Sequence, residues 1–77
     1  MNDVTMVDWA TAFMKFMKKH KYKDDEVHVK HLHRECERWC HRKPVSTKHV
    51  IDYLMVNGWI EVSGASDHWL FRFDKVL

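Results

Sequence analysis

The amino-acid sequence predicts an α+β fold in which three helices precede a C-terminal β-hairpin. Two observations carry this prediction. Apolar residues recur at helical spacing in three separate segments, and two alternating segments near the C-terminus flank a turn rich in Gly, Ser and Asp. The chain has 77 residues with four Trp, four Phe and five Met, enough large apolar side chains for one small core. We therefore expect residues 1–77 to form a single domain.

The first helix is predicted over about residues 5–20. Thr5 is a suitable N-cap, and Asp8 is an acidic residue in the first turn, where it favours helix initiation. Large side chains follow at helical spacing and fall on one side of a helical wheel. They are Met6, Trp9, Phe13, Phe16, Met17 and His20, with Ala10 at the edge.

A very short strand and a second helix are predicted next. Residues 27–29 alternate in polarity, which is typical of a strand. Apolar spacing then indicates a helix over about residues 30–41, and Pro44 ends it because the residue before proline disfavours helical backbone.

The third helix is predicted over about residues 47–57, with Ser46 as its N-cap. Asn57 and Gly58 end it, since a left-handed position at a helix C-terminus prefers Gly or Asn. Two alternating segments around a turn then predict a β-hairpin over about residues 59–74.

The segment HVKHLHRECERWCHRK, residues 28–43, contains both cysteines and four of the seven histidines. A metal site is one interpretation, because His33, Cys36 and Cys40 fall close together on a helical wheel. Three ligands strung over two helical turns converge poorly on one metal ion, however, and no second Cys pair is present. A redox pair is disfavoured as well, since side chains at i and i+4 lean in parallel.

A packing helix accounts for more of the same residues. Val29, Leu32, Cys36 and Trp39 form one apolar stripe, in which Cys36 acts as a small buried side chain. The opposite side of the wheel carries Lys30, Arg34, Arg38 and His41. The outward cations are then of more functional interest than the cysteines.

Three segments resemble the winged helix-turn-helix superfamily: VHVKHLHRECERWC, PVSTKHVIDYLMVNGWIEV and HWLFRF. The resemblance is one of pattern and covers about residues 5–74. It implies a three-helix winged helix-turn-helix fold whose third helix enters the DNA major groove and whose hairpin, the wing, touches the DNA backbone.

Charge is concentrated in the middle of the chain. Residues 15–48 carry eleven Lys or Arg and five acidic residues, a net charge of +6, whereas the whole chain has +2. A positive middle segment between mildly acidic ends favours a polyanionic or acidic partner.

The resemblance and the charge together predict a small non-catalytic protein that binds nucleic acid, most simply double-stranded DNA, and regulates transcription or replication. Phosphate contacts are expected from the second helix, from the turn after it, from the start of the third helix and from the wing. The outward face of the third helix is Lys48, His49, Asp52, Tyr53 and Val56. The expected contact residues are Lys30, Arg34, Arg38, Arg42, Lys43, Ser46, Thr47, Lys48, His49, Tyr53 and Arg72.

Other function classes are set against this one. The outward face of the third helix carries no Arg or Asn that could read bases. The alternative is therefore a protein-interaction module, which inhibits or recruits a larger partner through Tyr53, Val56 and His49. No paired carboxylates, phosphate loop or nucleophile motif indicates an enzyme. We expect no cofactor and no membrane partner, a cytoplasmic setting and, for a palindromic DNA site, a homodimer.

Overall fold

A computed structural model describes residues 5–20, 26–64 and 67–76. Within these residues the predicted α+β class is confirmed, with three helices, a three-stranded sheet and the element order of a winged helix-like fold. The elements are α1 (Met6–Lys19), β1 (Glu26–His28), α2 (Val29–Cys40), α3 (Thr47–Val56), β2 (Ile60–Val62), β3 (His68–Phe71) and a 3-10 helix (Phe73–Lys75).

The sheet is antiparallel with strand order β1-β3-β2, so β3 is its central strand. Trp69 of β3 lies opposite Val27 of β1 on one side and Val62 of β2 on the other. The predicted hairpin is β2 with β3, and the predicted short strand is β1, displaced by one residue.

The prediction that the hairpin extends to residue 74 is wrong. β3 ends at Phe71, and the chain turns into a 3-10 helix at Phe73. Phe73 is buried, and its ring stacks on Phe71 at 5.2 Å between centroids. The turn therefore folds one more aromatic ring onto the end of the core, where a longer strand would run past it.

Side-chain caps define where each helix begins. Thr5 and Asp8 form a reciprocal capping box at α1, and the Ser46 Oγ accepts from the His49 N–H at 3.2 Å at α3, as predicted. The N-cap of α2 is His28, whose Nδ1 accepts from the Lys30 N–H at 3.1 Å. Each cap satisfies an N–H group that has no partner inside its own helix.

Gly58 ends α3 in the predicted way. Its φ of 69° lies in the left-handed region, which glycine adopts without strain. The Gly58 N–H donates to the Met55 carbonyl at 3.1 Å, and the Trp59 N–H donates to the Leu54 carbonyl at 2.9 Å. This is a Schellman motif, and it turns the chain from α3 directly into β2.

One core joins the helices to the sheet. Its buried side chains come from every helix and from all three strands, and Leu54 and Ile60 are 0% and 1% exposed. In α1 the buried residues are Ala10, Phe13, Met14 and Met17. The predicted stripe missed Met14, which is buried, and wrongly included His20, which is the C-cap beyond the end of the helix and is exposed.

The packing role predicted for α2 is confirmed. Leu32, Cys36 and Cys40 are buried, while Trp39 is half-buried against the ring of Phe13, 5.4 Å away between centroids. Among the described helices, none is long and apolar enough to cross a membrane.

Candidate nucleic-acid interface

Helix α3 packs against both α1 and α2, and the side toward each of them is called the α1 flank or the α2 flank. A surface groove lies along each flank. The groove on the α2 flank has a volume of about 510 Å³ and the one on the α1 flank about 390 Å³. The two grooves differ in chemistry, and this difference separates the predicted contact residues into two groups.

The groove on the α2 flank, here called the basic groove, is formed by the first three turns of α2 and the first residue of α3. Lys30 and Arg34 line it one helical turn apart, and His33 lies between them in sequence. The full lining is Val29, Lys30, His33, Arg34, Glu37 and Thr47. The lining of the basic groove thus carries two permanent positive charges and one negative charge, with His33 counted as neutral.

Lys30 and Arg34 are exposed, and within residues 5–20, 26–64 and 67–76 neither side chain makes an ion pair or hydrogen bond. Arg38, one turn further along α2, lies 3.5 Å from Glu35 between Nη1 and Oε1. The basic groove therefore holds cations whose charge is not already neutralised by the protein. Unpaired exposed cations of this kind are what a phosphate requires.

The two basic residues after α2 behave differently from each other. Arg42 is exposed. Lys43 is half-buried, and its Nζ donates to the Trp39 carbonyl at 2.9 Å and sits 4.5 Å from the centroid of the Trp39 indole. Its ammonium is held over an aromatic face, which attracts cations, so Lys43 has less freedom to reach a phosphate than Arg42.

The start of α3 contributes to the basic groove through Thr47. Ser46 uses its hydroxyl to cap the helix, and Thr47 is half-buried in the groove wall. Helix α3 directs its positive dipole end toward this side of the molecule. The expected contribution of Ser46 and Thr47 is therefore backbone polarity beside the α2 cations.

The outward face of α3 combines an internal ion pair with two large apolar or aromatic side chains, Tyr53 and Val56. The Lys48 Nζ lies 2.8 Å from the Asp52 Oδ2, and this hydrogen bond raises the pKa of Lys48. Tyr53 is half-buried with its ring edge against Trp59 at 5.4 Å, whereas Val56 is 84% exposed. Lys48, the permanent cation of this face, is thus internally paired, and the rest of the surface suits an apolar contact better than a phosphate.

Arg72, expected to reach DNA from the wing, is held by carboxylates. Its guanidinium bonds Glu61 through Nη1 and Asp74 through Nε and Nη2. These hydrogen bonds, first to Asp74 and then to Glu61, raise the pKa of Arg72, and the pKa of Asp74 is lowered in return. The charge of Arg72 is therefore neutralised mainly by Glu61 and Asp74, and these ion pairs join β2 to the 3-10 helix.

His33 is exposed in the basic groove, although it was not among the expected contact residues. In the sequence it was considered as a metal ligand beside Cys36 and Cys40. The signal was present in the spacing, since residues 30, 33, 34 and 37 share one helix face.

The alternative metal ligands do not converge. The Sγ atoms of Cys36 and Cys40 lie 4.0 Å apart in the core, while His33 is exposed on another side of α2. Burial, together with the neighbouring Cys40, raises the pKa of the Cys36 thiol and keeps it protonated. In the part of the chain that the structure describes, no three His, Cys, Asp or Glu side chains form a group that could hold a metal ion.

Comparison with known proteins finds no matching family model, no matching curated protein and no matching solved structure.

Proposed function

We propose that this protein is a non-catalytic nucleic-acid-binding protein of the winged helix-turn-helix type that holds double-stranded DNA mainly through phosphates. The role proposed for it is the regulation of transcription or replication. The observation that carries the proposal is the basic groove, where Lys30 and Arg34 stand exposed and unpaired among the described residues, beside the start of α3. The winged helix-like order of helices and strands supports it.

Phosphate contacts, rather than base contacts, are expected to dominate this binding. Specific base contacts come most often from Arg or Lys to guanine and from Asn or Gln to adenine. On the outward face of α3 the matching side chain is Lys48, and it is paired with Asp52 at 2.8 Å. Phosphate-driven binding discriminates weakly between sequences and weakens strongly with salt.

A salt titration tests the proposal. Binding of a fluorescein-labelled duplex of ~20 base pairs is followed by anisotropy between ~50 and ~200 mM salt, and a second duplex of unrelated sequence and equal length serves as control. We expect the logarithm of the binding constant to fall linearly with the logarithm of salt concentration, with a slope of about −2 to −4 for two to four phosphate contacts. The two duplexes are expected to give the same slope. Absence of binding at ~50 mM salt would refute the proposal.

The groove on the α1 flank favours a second candidate function, which is association with protein through His49, Tyr53 and Val56. The two grooves have no lining residue in common, so one function does not exclude the other. Charge reversal at Arg34 separates them, because it removes phosphate binding and leaves an apolar contact on the α1 flank intact.

A further inference from the structure

A cluster of two histidines and one carboxylate lies where β1 meets β3, next to the start of α2. His28 and His68 lie directly opposite each other in the β1–β3 ladder, with ring centroids 5.1 Å apart. The two carboxylate oxygens of Asp67 lie 3.2 Å from His28 Nε2 and 2.8 Å from His68 Nδ1. The Asp67 carbonyl also accepts from the Val29 N–H at 2.8 Å. Asp67 therefore ties the start of α2 to the start of β3 through both its backbone and its side chain.

The hydrogen bonds of His28 determine which of its ring nitrogens carries the proton. Its Nδ1 accepts from the Lys30 N–H at 3.1 Å, so this nitrogen is unprotonated. The proton of the neutral ring is then on Nε2, which donates to Asp67. A carboxylate only accepts, so His68 donates to Asp67 from its Nδ1. In the neutral state both nitrogens of His28 therefore have a partner.

We infer that His28 is a pH-sensitive N-cap, which holds the first turn of α2 while its ring is neutral and releases it when the ring is protonated. Histidine side chains change charge between ~pH 5 and ~pH 8. The second proton goes to Nδ1, which then becomes a donor facing the Lys30 N–H, also a donor. The caps of α1 and α3 use the hydroxyl oxygens of Thr5 and Ser46, which keep their acceptor capacity throughout this range.

Asp67 keeps the protonated ring in place. Protonation turns the contact between His28 Nε2 and Asp67 into a charge-assisted hydrogen bond, which is stronger than the neutral one. Hydrogen bonding by His68 lowers the pKa of Asp67, so the carboxylate stays ionised across the range in which the histidines titrate. A protonated imidazole has no acceptor. The Lys30 N–H must therefore turn to water, and the first turn of α2 loses its cap.

The charges around His28 add to this effect. In the β1–β3 ladder His68 shares the same carboxylate, so the net charge of the three side chains rises from −1 to +1 when both rings are protonated. From α2, Lys30 and the protonated form of His31 are positive, as is the N-terminal end of the helix dipole. Glu26, two residues earlier on the same side of β1, is the opposing negative group. Protonation of His28 therefore places further positive charge at the positive end of α2.

The cap acts on a wall of the basic groove, because Val29 and Lys30 line that groove. While His28 is neutral, its ring fixes the Lys30 backbone at the start of α2. When the cap is lost, fewer hydrogen bonds hold this part of the wall. An effect on DNA binding would rest on the proposed function, whereas the cap itself is tested without DNA.

Amide exchange of the whole isotope-labelled chain, measured by NMR between ~pH 8 and ~pH 5, tests the inference. The readout is the protection factor of the Lys30 amide, which corrects for the intrinsic effect of pH on exchange. We expect this factor to fall about fivefold as the pH is lowered, the effect of losing one N-cap. The Asp8 amide, capped by Thr5, should keep its protection factor. A Lys30 protection factor that is the same at both ends of the range overturns the inference.

Two variants assign the pH response to His28. His28→Asn keeps a capping side chain that does not titrate, so the Lys30 protection factor should no longer depend on pH. His31→Gln is the matched control, because it removes an exposed histidine from the same helical turn and should retain the wild-type response. Equal responses in wild type and His28→Asn overturn the inference, and so does loss of the response in His31→Gln.

The ring-nitrogen chemical shifts of His28 give a second readout in the unsubstituted chain. At ~pH 8 they should show a proton on Nε2 alone, and at ~pH 5 a proton on each nitrogen. A proton on Nδ1 at ~pH 8, or a ring that is still neutral at ~pH 5, contradicts a cap that protonation releases.

Discussion

Replacing the two unpaired cations of the basic groove should weaken DNA binding and flatten its dependence on salt. The variant is Lys30→Gln with Arg34→Gln. Glutamine keeps much of the side-chain length and a good helix propensity, and both positions are exposed, so the stability of the fold should change little. What changes is the charge in the groove, which falls by two.

The expected magnitude follows from the number of contacts. Each phosphate neutralised by a cation contributes about 0.9 to the slope of log binding constant against log salt concentration. Loss of two contacts therefore reduces the magnitude of the slope by about 1.8. With equal binding constants for wild type and variant at 1 M salt, the variant binds DNA about 60-fold more weakly at ~0.1 M salt, a difference of about 2.5 kcal/mol. Both cations are free to contact phosphate, because neither is paired within the described residues.

The matched control is Lys18→Gln with Lys19→Gln, which also removes two exposed positive charges but from the last turn of α1. Duplex affinity is measured by anisotropy for wild type and for both double variants across the same salt range. We expect the control to keep the wild-type slope. Equal losses in the two double variants would refute a localised groove, because they would show that net charge alone determines binding.

Three further predictions concern stability. Ser46→Ala removes the hydroxyl that accepts from the His49 N–H at 3.2 Å and should lower the free energy of unfolding by about 1 kcal/mol and Tm by about 4–8 °C; an unchanged Tm in a thermal melt would contradict this. Gly58→Ala should cost about 1 kcal/mol or more in denaturant unfolding, because φ is 69° and the nearest atom to an added Cβ, the Lys75 Nζ, is 3.6 Å away, so the loss comes from the backbone; Gly58→Asn should lose less, and an equal loss would argue against backbone strain. The hydrogen bond from His68 lowers the pKa of Asp67 below its ordinary 3.8. Asp67 therefore stabilises the fold above pH 3.8, and this contribution is lost as the pH falls through the lowered pKa. Urea unfolding between ~pH 5 and ~pH 2 should show a smaller pH dependence for Asp67→Asn than for wild type, and identical curves would contradict the assignment.

The parts of the fold that were predictable from sequence are set by local chemistry. The Ser46 cap and the Gly58 turn each depend on residues within four positions, so single-chain patterns are enough to locate them. The extent of β3 was not predictable in this way. Alternation continues through Arg72 and Phe73, whereas the strand ends at Phe71 and the Phe73 ring stacks on Phe71.

The candidate site, like the fold, was predictable from sequence only where local chemistry determines it. The outward direction of Lys30, Arg34 and Arg38 follows from helical periodicity, and the structure has all three exposed. Whether a cation is already paired depends on partners elsewhere in the fold. Arg72 meets Glu61 from the neighbouring strand, eleven residues away, and sequence periodicity gives no sign of that contact.

Lys48 and Asp52 are a different case. Their spacing of four residues on one helix is the spacing of an ion pair, and the structure has them 2.8 Å apart. This pairing was therefore predictable from the sequence.

Amide chemical-shift mapping of the labelled protein with an unlabelled duplex at ~50 mM salt tests the basic groove as the nucleic-acid interface. We expect the largest shifts in the first three turns of α2 and at residues 46–47, with reversal when salt is raised to ~200 mM. The second half of α3, including Tyr53 and Val56, should shift little. Large shifts centred on residues 52–57, with residues 30–37 unmoved, would contradict a phosphate interface on the α2 flank.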